Sequence, residues 1–185
     1  MQPAIRIVVT GAPGAGKSTL LDELAQSGIA VAREVARDNL RAPGGMQLRA
    51  QQPLAFAQAM FEAEQRAFQE AGERGGLTVF DRGFPDIAGF LQLQGLPVPE
   101  LIAAACRDLR YSEPVFRAPP WRSIYCQDAE RIQTWEEAEA SDAAVCAAWR
   151  AYGYHLIDLP LHPVHERAAF LRQQINGTPP LENGG

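Results

Sequence analysis

The chain has 185 residues, nearly half of them hydrophobic, and a formal net charge of −5. That is enough chain for one domain with a full core, and its acidic balance argues against nucleic acid as a partner. No apolar run approaches the length of a membrane span. Cys106, Cys126 and Cys146 are scattered with no C-x-x-C spacing, so reduced thiols and a cytoplasmic location are expected, and a zinc site is not.

The first element is a short β-branched run, Ala4 to Thr10, which reads as a buried strand that begins too early to leave room for a signal peptide. Gly11-Ala12-Pro13-Gly14-Ala15-Gly16-Lys17-Ser18 follows, the G-x-x-x-x-G-K-S pattern of a phosphate-binding P-loop. Its glycines let backbone amides turn inward onto phosphate oxygens. Ser18 to Ala25 then has helical apolar spacing. Strand, glycine loop and helix N-terminus in that order make an anion site. Of 17 basic residues, Lys17 is the single lysine. A compact ammonium is kept where a P-loop needs one.

The expected nucleotide-binding residues are therefore Gly11, Pro13, Gly14, Ala15, Gly16, Lys17, Ser18 and Thr19. Lys17 is expected to neutralise the β/γ-phosphates, and the Ser18 hydroxyl to sit on Mg²⁺.

Gly28 breaks the first helix, and Ile29 to Arg33 is a second strand with Glu34 at its end. Ligands of open α/β sheets bind beyond the carboxyl ends of strands. Glu34 thus stands where a carboxylate meets a substrate hydroxyl, with Arg37 and Arg41 one and two turns along a short helix from Val35. Residues 42–45 read as a loop. A long helix starts near Pro53, with Leu54, Ala57, Phe61, Glu64, Phe68 and Ala71 on one buried side, and ends at Gly72 and Gly75-Gly76.

Leu77 to Asp81 is the third strand, ending in Asp81-Arg82-Gly83. An acid at the tip of an apolar strand beside a P-loop is placed to hold Mg²⁺, leaving Arg82 to face the substrate or the transferring phosphoryl group; the alternative is an Asp–Arg pair that caps the next helix. Helices are expected over Phe84–Gln94 and Pro97–Leu109, and a short strand over Glu113–Arg117. The Arg-bearing excursion that follows, residues 118–134, fits a lid that closes over phosphates. Arg122 and Arg131 are its charge donors, unless they are surface arginines paired with Asp128 and Glu130.

Trp135 to Tyr152 is a helix, Tyr154 to Leu159 the fifth strand, and Pro163 starts a last helix to about Asn176. His162 and His165 read as residues of a helix entry rather than as a metal pair. Leu159-Pro160-Leu161 lies where such folds contact a nucleobase. Residues 1–177 are thus one domain, and 178–185 a flexible tail.

With these pieces in order, the chain resembles P-loop kinases of small molecules, of the thymidylate-kinase and deoxynucleoside-kinase type. More closely it is similar to the AAA-like predicted ATPase family, related to the nicotinamide riboside kinase domain of the bacterial NAD-biosynthesis regulator. The stretches that carry the likeness are TGAPGAGKSTL, REVAR, FDRGFPDIAGFL and IYCQDAERIQTWEEA. The resemblance implies an α/β fold with a five-stranded parallel sheet flanked by helices, and ATP and Mg²⁺ as cofactors. It also implies an acid after strand 2, a D-R motif after strand 3 and an arginine-bearing lid. The expected activity is phosphoryl transfer to an unidentified small acceptor. Lys17, Glu34, Asp81, Arg82, Arg122 and Arg131 would be catalytic, Glu34, Arg37 and Arg82 would hold the acceptor, and Ser18 and Asp81 the metal. The alternative is a regulatory or trafficking nucleotide-binding module with slow hydrolysis and a protein partner; no N-K-x-D guanine-recognition pattern is present.

Overall fold

The computed structural model describes residues 2–33, 44–125 and 134–177. Five parallel strands, β1 (Ala4–Gly11), β2 (Ala30–Ala32), β3 (Gly76–Asp81), β4 (Val115–Ala118) and β5 (Leu156–Asp158), form one sheet in the order β2-β3-β1-β4-β5. Parallel strands need crossovers, and here the described crossovers are helical. The helices are α1 (Lys17–Gln26), α2 (Gly45–Gln51), α3 (Pro53–Arg74), α4 (Phe84–Leu93), α5 (Glu100–Asp108), α6 (Trp135–Ala151) and α7 (Val164–Gly177).

The alternation within the central strands divides the core in two. Val8, Phe80 and Val115 point to a layer built by α3, α4, α5 and α6, while Ile7, Val9, Val79 and Phe116 point to one built by α1 and α7. Both faces are covered, so Ile7, Val8 and Val9 of β1 follow one another as a buried apolar run rather than alternating with polar residues. No helix among the described residues is long and apolar enough to cross a membrane.

The element boundaries show where local signals were overridden. Gly45 starts α2 instead of closing a loop, with Gly44 at φ 78° before it. The long helix runs through Gly72 and stops at Gly75 (φ 69°); its buried stripe holds Phe56 and Met60 but not Leu54, which is exposed in the first turn. β4 begins two residues later than expected: Pro114 has no N–H to give to the ladder, and Val115 N bonds to His155 O (3.0 Å). Helices α4 and α6 approach closely at Gly89, where a Cβ would lie 2.8 Å from Val145 Cα.

Candidate functional site

The P-loop joins the end of β1 to α1 and lies at the carboxyl ends of the strands that flank it. Ladder partners set the geometry: Val9 is opposite Asp81 on β3, and Gly11 opposite Ala118 on β4. Gly11 (φ 116°), Gly14 (φ 75°) and Gly16 (φ 76°) supply the left-handed turns of the loop. At Gly11 the constraint is doubled, because a Cβ would fall 2.3 Å from Ala118 O. The loop is pinned by Ala12 N to Ala118 O (3.1 Å) and by Leu20 N to Gly16 O (3.1 Å).

Lys17, the first residue of α1, is buried. Its ammonium folds back over the loop and donates to Ala12 O (2.7 Å) and Gly11 O (3.4 Å). Burying a Lys is costly unless its charge is used. Here the charge sits at the mouth of a cradle of backbone amides, the arrangement that attracts a polyphosphate.

Asp81, buried, ends β3 beside the loop. Arg82 follows with φ 76°, a left-handed conformation uncommon outside glycine. Its N–H donates to Val9 O (3.0 Å), and its Nη1 to Gly11 O (3.1 Å) and Asp86 Oδ1 (3.1 Å). The guanidinium is therefore tied to the P-loop backbone on one side and to the first turn of α4 on the other. The pair with Asp86, i to i+4, realises the helix-capping alternative in part, with Asp86 rather than Asp81 as the acid.

Asp86 was not singled out in the sequence, yet it is the hub. Its two oxygens accept from Thr10 Oγ1 (2.5 Å), Arg82 Nη1, Gly83 N (3.0 Å) and Trp149 Nε1 (2.9 Å). One carboxylate thus joins the last residues of β1, the D-R-G turn, the start of α4 and the buried indole of α6. A signal was available: an acid three residues after the turn glycine, with Pro85 at the helix start, is a helix-entry pattern.

Behind this hub, Glu64 of α3 accepts from Tyr111 Oη (2.5 Å). Burial, reinforced by Asp86 and Asp81 and opposed by the Tyr111 hydrogen bond, pushes the Glu64 carboxyl up to about 8. The Tyr111 ring packs against Phe68, Phe80, Phe84 and Trp149, with ring centres 5.3–5.7 Å apart. The third cation at the loop is Arg167 of α7, whose Nη1 donates to Ala15 O (2.9 Å); it too was missed, since one Arg in a helix of mixed polarity carries no sequence signal.

The structure brings Lys17, Ser18, Asp81 and Arg82 to one end of the sheet. Arg122, at the root of the expected lid, is exposed and lies over the Trp135 ring (4.8 Å). Glu34, Arg37 and Arg131 lie outside the described residues, as does the tail 178–185. β2 ends at Ala32, and Arg33 pairs with Asp22 (2.6 Å).

Two solved structures share this fold over nearly the whole chain. Deoxyadenosine kinase from M. mycoides, with products dCMP and dCDP bound, matches with TM-score 0.71 at 15% identity, covering 94% of this chain and all of that one. Thymidylate kinase from Candida albicans matches with TM-score 0.66 at 13% identity, covering 94% and 92%. No curated protein matches the sequence. The AAA-domain profile matches residues 6–167, from β1 to the first turn of α7. That span takes in the P-loop, the Asp81-Arg82 turn and the hub at Asp86, and the chain belongs to the AAA-domain family of P-loop proteins.

Proposed function

We propose that this P-loop protein is a phosphotransferase that moves the γ-phosphoryl group of ATP to a hydroxyl of a small, nucleoside-like acceptor. The observation that carries the reading is the tethering of Arg82 between the P-loop carbonyl of Gly11 and Asp86, next to Asp81 and Lys17. A domain that only bound nucleotide has no evident need for an arginine fixed in a strained backbone at that point. That a deoxyadenosine kinase and a thymidylate kinase are among the structural neighbours supports it.

In this reading the backbone amides of residues 14–18 hold the β-phosphate, and Lys17 neutralises the β/γ charge. Ser18 and Asp81 form an all-oxygen donor set, the kind Mg²⁺ accepts alongside phosphates and water. When bound, Mg²⁺ would supply charge neutralisation between the β- and γ-phosphates. Arg82 and Arg37 orient the acceptor, and Glu34 takes or directs its hydroxyl proton. Arg122 and Arg131 close over the transferring group. Catalysis is then positioning and charge stabilisation in a water-poor site.

The test is ADP release from Mg·ATP by the purified protein, alone and with a panel of nucleosides, nucleotides and nicotinamide riboside. Stimulation by one compound, abolished by Lys17→Ala, identifies a kinase and its acceptor class. A slow basal rate that no compound changes favours the regulatory NTPase reading and a protein partner.

A further inference from the structure

Arg167 is nearly as buried as the core aliphatics, at 2% exposure. It stands three residues into α7, and its Nη1 donates to the P-loop carbonyl of Ala15. The same nitrogen lies 2.9 Å from where a Cβ on Gly16 would be, and Ile124 Cδ1 lies 3.2 Å from that point. Trp121 lies over the guanidinium at 5.8 Å. No carboxylate among the described residues pairs with it, and its Nε and Nη2, the side-on edge of the fork, have no hydrogen-bond partner.

A loop carbonyl can be tethered by any neutral donor. A cation sealed from water with no counter-charge among the described residues is a costly way to do it, and a ring at the limit of cation–π range offsets that only in part. The direction of the peptide explains the expense. In a trans peptide the C=O and the following N–H point opposite ways, and the single cis bond among the described residues is Glu113–Pro114. A donor on the Ala15 carbonyl therefore leaves the Gly16 N–H directed away from Arg167, among the amides that form the anion cradle. A charged donor on the carbonyl polarises the peptide and strengthens that N–H.

We infer that Arg167 is a positioning residue of the phosphate site: it fixes the Ala15–Gly16 peptide and supplies through it a positive charge that a bound polyphosphate neutralises. This rests on the P-loop as a nucleotide site, and not on transfer to an acceptor. In the empty protein no carboxylate among the described residues balances this charge; in the nucleotide complex the polyphosphate does.

The test separates charge from tether. Arg167→Gln keeps a donor for Ala15 O and removes the charge; Arg167→Lys keeps the charge. Binding of Mg·ADP and of inorganic tripolyphosphate is measured by calorimetry with no acceptor present, alongside thermal unfolding with and without ADP. The expected result is a Gln variant that melts at or above the wild-type temperature when empty, gains less on adding ADP, and binds both probes about tenfold more weakly. One charge about 12 Å away at an effective dielectric of about 20 already gives that factor, so tenfold is the low end for a phosphate on the loop. The Lys variant stays within about threefold of wild type, and the Gly16 amide proton resonance, downfield in the wild-type ADP complex, moves upfield in the Gln variant only.

A Gln variant that is less stable when empty but binds both probes as wild type does would make Arg167 a structural tether and overturn the assignment. Loss of ADP affinity with tripolyphosphate unaffected would overturn it in favour of a contact to the nucleoside. If the wild type binds neither probe, the phosphate site falls and this assignment with it, whereas absence of acceptor phosphorylation with both probes bound overturns only the transfer reading.

Discussion

Asp86→Ala removes one side chain and strands four donors. Trp149 Nε1 and Thr10 Oγ1 belong to fully buried residues, Gly83 N closes the first turn of α4, and Arg82 loses its acid. The Thr10 hydroxyl can rotate to another acceptor, so three losses count. Unsatisfied buried donors cost about 1 kcal/mol each at the low end, and a largely buried Arg deprived of its carboxylate about 2 kcal/mol after relaxation toward water. The sum is about 4 kcal/mol, a large part of the roughly 5–15 kcal/mol that holds a domain folded. Urea unfolding followed by far-UV circular dichroism should show the midpoint falling by about 1.5 M at an m-value near 2.5 kcal/mol/M, and Tm should drop by about 8–16 °C. Asp86→Asn, which keeps one acceptor oxygen, should fall roughly midway. A variant within about 1 kcal/mol of wild type would refute the account, because the hub would then not be what fixes the D-R-G turn against β1.

Glu64 makes stability pH-dependent. Its carboxyl keeps its proton to about pH 8 in the folded chain and loses it near 4.5 when unfolded, so folding takes up a proton between those values and stability falls as pH rises through that window. Relative to Glu64→Gln, wild type should lose up to about 1.4 kcal/mol per pH unit there and level off above pH 8; equal pH profiles would remove Glu64 from the titration. Gly89→Ala forces α4 and α6 apart at a backbone contact, and should cost about 1–3 kcal/mol in chemical denaturation while leaving the nucleotide affinity of the folded fraction unchanged. Gly11→Ala meets both an incompatible φ and Ala118 O, and should abolish Mg·ADP binding measured by calorimetry. Burial pushes the Cys106 and Cys146 thiols up to about 12, so the native protein should react with Ellman's reagent at two fewer thiols than the urea-unfolded protein.

The sheet and the phosphate loop were legible because their signals are local. An apolar run, a glycine loop and a helix at 3.6 spacing occur within 25 residues, and each agrees with the next. The same holds for β3 and the Asp81-Arg82 turn. Boundaries were less legible: Gly72 did not end α3, which runs on to Arg74 before Gly75 stops it, and Gly45 entered a helix in place of a loop. The hub at Asp86 was half legible, as a helix-entry acid. That it also takes Thr10 and Trp149, 76 and 63 residues away in sequence, depends on the register of β1 beside β3 and the packing of α4 on α6. Arg167 is 152 residues from Ala15, and only the α1–α7 layer brings them together.

The strand order divides the work on the proposed reading. β2 pairs with β3, so the chain leaving β2 toward Glu34 departs next to the strand that ends in Asp81-Arg82. On the other side of β1 come β4, with Ala118 holding Ala12, and then β5, which leads into α7 and Arg167. Acceptor chemistry thus falls to the β2–β3 edge and nucleotide chemistry to the β4–β5 edge, with the P-loop between them. The two sides differ in how their cations are held. Arg82 is anchored by a carboxylate, so its charge is nearly balanced in the empty protein and its task is placement. Arg167 has no such partner among the described residues, so its charge is left for the ligand. A double variant, Asp86→Asn with Arg167→Gln, tests that division. If the two residues act on separate ligands, their effects on Mg·ADP affinity add within about 0.5 kcal/mol; strong coupling between them would mean that both cations serve the same phosphate and that the acceptor is bound elsewhere.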